Sequence, residues 1–473
     1  MIHPHRVSAD QLSSPGVWRR PRLGQLWFRI FILAIALLGG SSRYDLVQNG
    51  LLLPIIALLL IPSLYHLQWS DIERARILFG FLGVILLWMA VQITPLPPGV
   101  WQALPKRDLI ADLDRLVGLE GVWRPISASP FRSLHSLLGL MVPVAAAAIV
   151  LSMRITTRAL LLCIVLLGCV NASIGLLQIV SGSDSPLYMY AISNRNAPSG
   201  LFANENHSAV FSAICLVVTV RLAIESRRRG ELGRLSLFLG SSAFLVILAV
   251  LAGGSRAGFA ATLFALSVCM LMALFAFTAG KIEEGQGCKW RAASSANGLG
   301  ILICFVALVL LVTGFIALER VPALRDLLAE DPFEELRWSL LPILTDMIET
   351  YWLFGTGFGS FDVVYRLHEP TALLVPTYMN QAHNDWAQLL IEGGLPALIC
   401  LIAFIGWIFL SIYRIGTVKV LGVSVVIFWL SLCFIVMGFS LVDYPLRTPI
   451  YQAVSIWLIL ILQRDHEVAL PVR

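Results

Sequence analysis

The sequence predicts an all-α, polytopic helical membrane bundle of about twelve transmembrane helices, with a large outer loop containing short helices. Three observations predict it. Of 473 residues, 58% are hydrophobic and only 13% charged, where a soluble domain carries roughly a quarter charged. Predominantly apolar runs long enough to cross a bilayer, about 17–25 residues, recur along the chain. None shows the alternation of a membrane β-barrel strand, so helices must satisfy the backbone within the hydrocarbon.

Taken in order, the runs lie at 26–41, 47–65, 77–94, 134–152, 159–181, 207–222, 235–253, 257–279, 298–318, 394–413, 420–440 and 448–463. The first, sixth and twelfth are short. Residues 1–473 read as a single integral membrane domain with two elaborations, a first outer loop at 95–133 and a large outer loop at 319–385. Structureless loops of that length are uncommon unless they serve a function. The N-terminal 25 residues are polar and Arg-bearing, and no small-residue cleavage site follows the first apolar run, so no cleavable signal peptide is expected. Of the eight cysteines, Cys163, Cys169, Cys215, Cys269, Cys304, Cys400 and Cys433 sit in apolar runs as small hydrophobes. Neither a disulfide framework nor a zinc site is suggested.

The Lys and Arg distribution sets the expected orientation. With the N-terminus in the cytoplasm, 21 of the 34 basic residues fall inside and 13 outside. Short inner loops are basic (Arg74, Arg76; Arg154, Arg158; Arg227, Arg228, Arg229, Arg234; Lys281, Lys289, Arg291; Arg414, Lys419), whereas short outer loops hold one each, at Arg43, Arg195, Arg256 and Arg447. That is the positive-inside pattern. The net charge of +5 therefore points to anionic lipid rather than nucleic acid.

Polar groups gather in the outer loops. In the first, a short helix is expected around Lys106 to Arg115. In the second, Asp331-Pro332-Phe333-Glu334 reads as a helix start, with Asp331 as N-cap and Pro332 in the first position. At 100° per residue, Phe333, Leu336, Leu340, Ile343, Leu344, Met347, Ile348 and Tyr351 form one apolar arc, opposite Glu335, Ser339, Asp346 and Glu349. Arg337 falls inside the apolar arc. It either snorkels or pairs with a carboxylate, or it faces a cavity holding an anion. Arg256, in the Gly-flanked turn 253–258, either anchors to headgroups or sits where backbone approaches a ligand closely.

Three further clusters complete the outer set. Asn204 and Asn206 precede a span that one of them would cap, with His207 following. His383 stands before Asn384 and Asp385, either of which is a good N-cap. Asp443 and Arg447 flank a Pro-bearing turn, and their mutual pairing is the structural expectation there.

Together these pieces resemble the O-antigen ligase and O-antigen (exopolysaccharide) polymerase superfamily of bacterial membrane glycosyltransferases. The matching residues run Gly200-Leu201-Phe202-Ala203-Asn204-Glu205-Asn206-His207, then Gly254-Ser255-Arg256-Ala257-Gly258, then Arg337 and Gly355-Thr356-Gly357-Phe358-Gly359-Ser360-Phe361. His383-Asn384-Asp385 leading to Glu392-Gly393-Gly394 completes the set. The ordered set is more specific than any one motif and covers roughly 200–395; the first 190 residues match only in hydropathy. The ending Asp443-Tyr444-Pro445-Leu446-Arg447 is similar to members from exopolysaccharide clusters.

The resemblance implies a glycan donor on undecaprenyl diphosphate at the periplasmic face of the bacterial inner membrane, and transfer to an acceptor hydroxyl without metal or other cofactor. It carries Arg256 and Arg337 onto the arginines that grip the diphosphate and His383 onto the proposed base, with Asn204, Asn206, His207, Asn384, Asp443 and Arg447 as further substrate-binding candidates. The residue chemistry agrees. Fixed guanidiniums stabilise charge developing on a diphosphate leaving group, and a neutral imidazole can take the hydroxyl proton. Polymerisation of repeat units, with a chain-length regulator as a partner, is favoured by the Asp443–Arg447 ending. Ligation to lipid A core or to protein is the alternative. A lipid-linked oligosaccharide transporter would place ionisable groups at mid-membrane, whereas these spans are nearly free of charge.

Overall fold

The computed structural model describes residues 21–230, 234–283, 332–371, 379–417 and 422–469. The expected span at 298–318, the proposed cap Asp331 and the side chain of Arg337 lie outside the described set. Among the described residues every regular element is a helix. Seven helices are long and apolar enough to cross a membrane: Val47–His66, Arg76–Ile93, Pro130–Ser152, Thr157–Ser181, Glu205–Arg228, Arg256–Ala276 and Asp385–Gly416. Three shorter apolar helices, Gly24–Leu38, Leu235–Leu251 and Val423–Phe439, and a final helix, Pro449–Ala469, fall on other expected runs. By length and composition seven helices qualify among the described residues, rather than twelve.

The Glu205–Arg228 helix is the axis of the bundle. It is mostly buried and packs against Thr157–Ser181, Leu235–Leu251, Val423–Phe439 and the helix beginning at Arg256. Its Val210, Phe211, Ile214, Val217 and Val218 join Leu160, Leu161, Ile164, Phe31, Ile35, Tyr451 and Trp457 in one core. Outer helices instead expose apolar side chains such as Leu58, Ile61, Leu87, Ile399, Ile402 and Phe434, the surface a bilayer covers. At the opposite end from the outer motifs, buried Arg221 pairs with Glu225 and Asp465, and Trp429 donates to Asp465. Buried charge is thus paired and tied to three helices.

Two apolar runs fold differently from their hydropathy. The candidate span Pro130–Ser152, which covers the expected 134–152, is interrupted at Leu140 into two segments, Pro130–Gly139 and Met141–Ser152. Pro143 has no N–H to donate to the Gly139 carbonyl, so the ladder is interrupted between them. The expected span 394–413 belongs to a longer helix, Asp385–Gly416, broken at Gly394, where φ is 63° and ψ is −160°. Pro396 cannot bond the Glu392 carbonyl, and the freed group accepts instead from Gly357 N at 3.0 Å and Gln92 Nε2 at 2.8 Å. Trp88 Nε1 takes the Gly393 carbonyl at 2.7 Å. The break therefore ties the Gly355–Ser360 loop to two helices. That backbone region is essentially closed to other residues, and a Cβ at Gly394 would press on backbone atoms of Phe354 and Gly355. Gly394→Ala is expected to destabilise the fold by about 1–3 kcal/mol, read as a lowered melting temperature in detergent; an unchanged melting temperature would show that the break is not required.

Above the bundle the Pro332–Tyr351 helix forms as predicted from its arc. Leu340, Ile343, Leu344, Met347 and Tyr351 are buried, while Asp346 and Glu349 are exposed. With Phe361, Val364 and Tyr365 of the short helix Phe361–His368, and with Ala382 and Ile391, they make a second, separate core. This core seats residues 379–385 beside the bundle. The expected short helix of the first outer loop is also present, at Asp108–Leu116.

Candidate functional site

Loop 198–207 is fixed by amides rising from the Thr157–Ser181 helix. Gln178 bonds both the N–H and the carbonyl of Gly200, at 2.8 and 3.1 Å. Asn171 accepts from Leu201 N and donates to Ser208 Oγ, each at 2.9 Å. Gly200 has φ 59°, and a Cβ there would collide with Asn171, so the turn requires glycine. Asn204 then caps the central helix by accepting from Asn206 N at 2.8 Å.

Asn384 caps the Asp385–Gly416 helix in the same way, accepting from Ala387 N at 2.9 Å. The residue before it, His383, has φ 50°. A left-handed conformation is uncommon for a non-glycine residue, and such strain persists where the surroundings impose it, often at functional sites. It turns the imidazole toward the 443–447 loop.

These segments meet at one buried carboxylate. Asp443 is 1% exposed. Its Oδ2 accepts from Asn204 Nδ2 at 3.3 Å and Asn206 Nδ2 at 3.2 Å, and its Oδ1 accepts from Tyr444 N at 3.0 Å. His207 Nε2 stands 3.5 Å and His383 Nδ1 3.6 Å from Oδ1, ion-pair distances rather than hydrogen bonds. Burial alone would push Asp443 up, but His207, His383 and the neighbouring donors outweigh it and hold the carboxyl well below the usual carboxylate range. The Tyr444 ring packs edge-on against both imidazoles, with centroids 5.1 Å from His207 and 4.9 Å from His383.

The cluster borders a cavity of about 760 Å³. Asn204, Asn206, His207, Arg256 and His383 line it, together with Ser41, Arg43, Glu205, Asn380 and Tyr444. Five of the nine residues singled out from sequence thus share one cavity. Arg256 is the first residue of its helix, beside the Ser255 side chain that caps Gly258 N. Asn384 serves as a cap, and Asp443 does not itself line the cavity but is bonded to Asn204, Asn206 and Tyr444, which do.

Arg447 departs from expectation. It does not pair with Asp443. Its guanidinium reaches Glu392 at 3.0 Å and Asp385 at 3.4 Å and lines a second cavity of about 330 Å³. Two histidines and two asparagines already occupy the Asp443 carboxylate, while Glu392, 0% exposed, is a buried charge that needs a cation. Residues missed in the sequence include Arg43, paired with Asp45 at 2.8 Å, and Glu392, which also accepts from Gln388 Nε2 and Phe361 N. In the sequence Arg43 carries no signal beyond its place in a short outer loop, and Glu392 none beyond its place before Gly393-Gly394.

Residues 241–402 match the family model described as O-antigen ligase. That match, over about a third of the chain, supports the resemblance to the O-antigen ligase and polymerase superfamily. The matched stretch contains Arg256, Arg337, the Gly355–Phe361 phrase and His383-Asn384-Asp385, and leaves the 200–207 and 443–447 loops outside it. No curated protein gives a significant match to the chain. The match to the O-antigen ligase family model and the apolar helices together suggest a bacterial membrane protein with a glycosyltransferase-type role in O-antigen or polysaccharide processing.

Proposed function

We propose that the protein polymerises exopolysaccharide or O-antigen repeat units carried on undecaprenyl diphosphate, at the periplasmic face of the inner membrane. The observation that carries this reading is the grouping of His383, Asp443 and Arg256 at one outer cavity. The positive-inside distribution supports both termini in the cytoplasm.

In the proposed step, the acceptor sugar's hydroxyl oxygen forms a bond to the anomeric carbon of the lipid-linked glycan. The bond from that carbon to the diphosphate oxygen breaks, and undecaprenyl diphosphate leaves with the electron pair. His383 takes the hydroxyl proton. With Nδ1 turned to anionic Asp443, its other nitrogen, Nε2, is the one available to the substrate, and the imidazolium formed is stabilised by the carboxylate, the logic of a base held by a buried acid. Arg256, with Arg337, neutralises charge on the departing diphosphate. That leaving group departs without a carboxylic acid, so the two-carboxylate scheme of glycosidases is not needed.

Ligation to lipid A core or to protein uses the same chemistry on another acceptor. The test is purified protein in liposomes given only an undecaprenyl diphosphate-linked repeat unit. The expected result is a ladder of longer lipid-linked glycans with release of undecaprenyl diphosphate. Transfer that occurs only when lipid A core is added would replace the polymerase by the ligase.

A further inference from the structure

The first outer loop carries an apolar face that no described residue covers. Its helix, Asp108–Leu116, is amphipathic in the reverse sense to a solvated surface helix. At 100° per residue, Leu109, Leu113 and Leu116 share one arc, and Ala111 and Asp114 share the opposite one. The arc holding the carboxylate is the buried one. Ala111 and Asp114 are buried, whereas all three leucines are exposed, Leu116 by 82%. Val117, Leu119 and Trp123, just beyond the helix, are exposed as well. Single exposed apolar residues need no explanation, but a run of this size marks an interaction surface.

The reversed helix is held firmly. Asp114 is paired with Arg124, whose guanidinium lies 5.6 Å from the ring centroid of the fully buried Trp101. Trp101 Nε1 donates to the Val122 carbonyl at 3.0 Å, and Arg107 donates to the Ile126 carbonyl. These bonds draw the polar side of the helix inward and leave the leucines turned away from the protein.

Its position says what covers the leucines. The loop leaves the outer end of the Arg76–Ile93 helix and returns to it. Leu96 and Arg124 exchange backbone hydrogen bonds at 2.9 and 3.1 Å, and Ser127 N donates to the Gln92 carbonyl at 2.9 Å. Trp123 is therefore within a few residues of that helix end. The same helix exposes Leu87 and Val91 in its last two turns, on a candidate membrane span. The apolar run thus starts at the edge of the surface a bilayer covers. A nine-residue helix is about 14 Å long, far short of the hydrocarbon thickness of about 30 Å, so it lies along the membrane rather than crossing it. The charges flanking the arc, Asp112 and Arg115, pair with each other at 2.7 Å. A neutralised rim beside leucines and a tryptophan suits the boundary between headgroups and acyl chains.

We propose that residues 108–123 are a membrane-surface arm, with Leu109, Leu113, Leu116 and Trp123 seated in lipid of the leaflet nearer His383. The arm is tied to the site's supporting loop, because Ala128 N donates to the Thr356 carbonyl at 2.8 Å. Its seat in the lipid thereby fixes the height of the 355–360 loop above the bilayer.

The experiment measures how fast a charged, membrane-impermeant maleimide labels Leu113→Cys, Leu116→Cys and Arg115→Cys. Each full-length variant is purified into nanodiscs holding one copy of the chain, with wild type as the background. One copy per disc leaves lipid as the only cover. The thiolate is the reacting form and is disfavoured among acyl chains, so the two leucine positions are expected to label about tenfold or more slowly than Arg115→Cys. Labelling at one rate in all three variants would overturn the proposal: a uniformly fast rate puts the leucine arc in water, and a uniformly slow one denies that the helix has a lipid face and a wet face. Hydroxyl-radical footprinting of wild-type protein in the same discs tests Trp123 without any substitution, should a variant fail to fold. Trp123, 60% exposed in the protein alone, is expected to be protected from oxidation, and ready oxidation there would equally overturn the arm.

Discussion

His383→Gln is expected to slow glycan transfer by roughly 10²–10⁴, the usual contribution of a general base, with undecaprenyl diphosphate binding nearly intact. Glutamine keeps a hydrogen-bonding group at the cavity but cannot accept and hold the proton. The loss should appear in kcat rather than KM, because the proposal assigns the diphosphate to Arg256 and Arg337. Asp443 is not the source of any activity lost on mild acidification. Its folded-state value lies below the unfolded one, so the stability it contributes is present above about pH 4. That contribution is lost only as pH falls through the depressed value. If His383 served only to lead the chain into the Asn384 cap, the variant would lose stability and the folded fraction would turn over normally. Purified His383→Gln extending glycans at the wild-type rate would remove the base role.

Arg256→Ala is expected to cost about 10²–10³ in kcat, the magnitude of losing one preorganised charge-stabilising group, and Arg337→Ala to behave alike. Arg256 opens its helix at the cavity wall, so its guanidinium and the helix N-terminus would act from the same side on a diphosphate bound there. Lysine should rescue poorly, since a point charge does not reproduce the planar fork. Measured kcat and Kd for undecaprenyl diphosphate in the Ala and Lys variants check this. Equal activity for Lys and Arg at both positions would show that charge alone suffices, and full activity of either Ala variant would return that arginine to a headgroup or snorkelling role.

The outer clusters were legible because polar groups cost free energy beside hydrocarbon, so Asn204, His207, Arg256 and His383 stood out in an apolar chain. The helix of residues 332–351 was legible from its 3.6-residue arc and its Asp-Pro start. What was not legible depends on long-range partners. Asp443 and Arg447 are neighbours in sequence, yet Asp443 is claimed by side chains from positions 204, 206, 207 and 383, and Arg447 by Glu392. Hydropathy placed a span at 394 because the apolar run begins there, whereas the helix begins where Asn384 caps it. The second cavity is built from segments spread between residues 41 and 452, so no local pattern announced it.

The claim that His383 and Asp443 act as one proton-accepting unit is tested most directly by a double-mutant cycle. Initial rates of glycan extension are measured for wild type, His383→Gln, Asp443→Asn and the double variant, each at matched folded fraction. Groups that work together are grossly non-additive, so the double variant is expected to be no slower than His383→Gln alone. Losses that multiply in the double variant would contradict the account, because each residue would then be acting without the other.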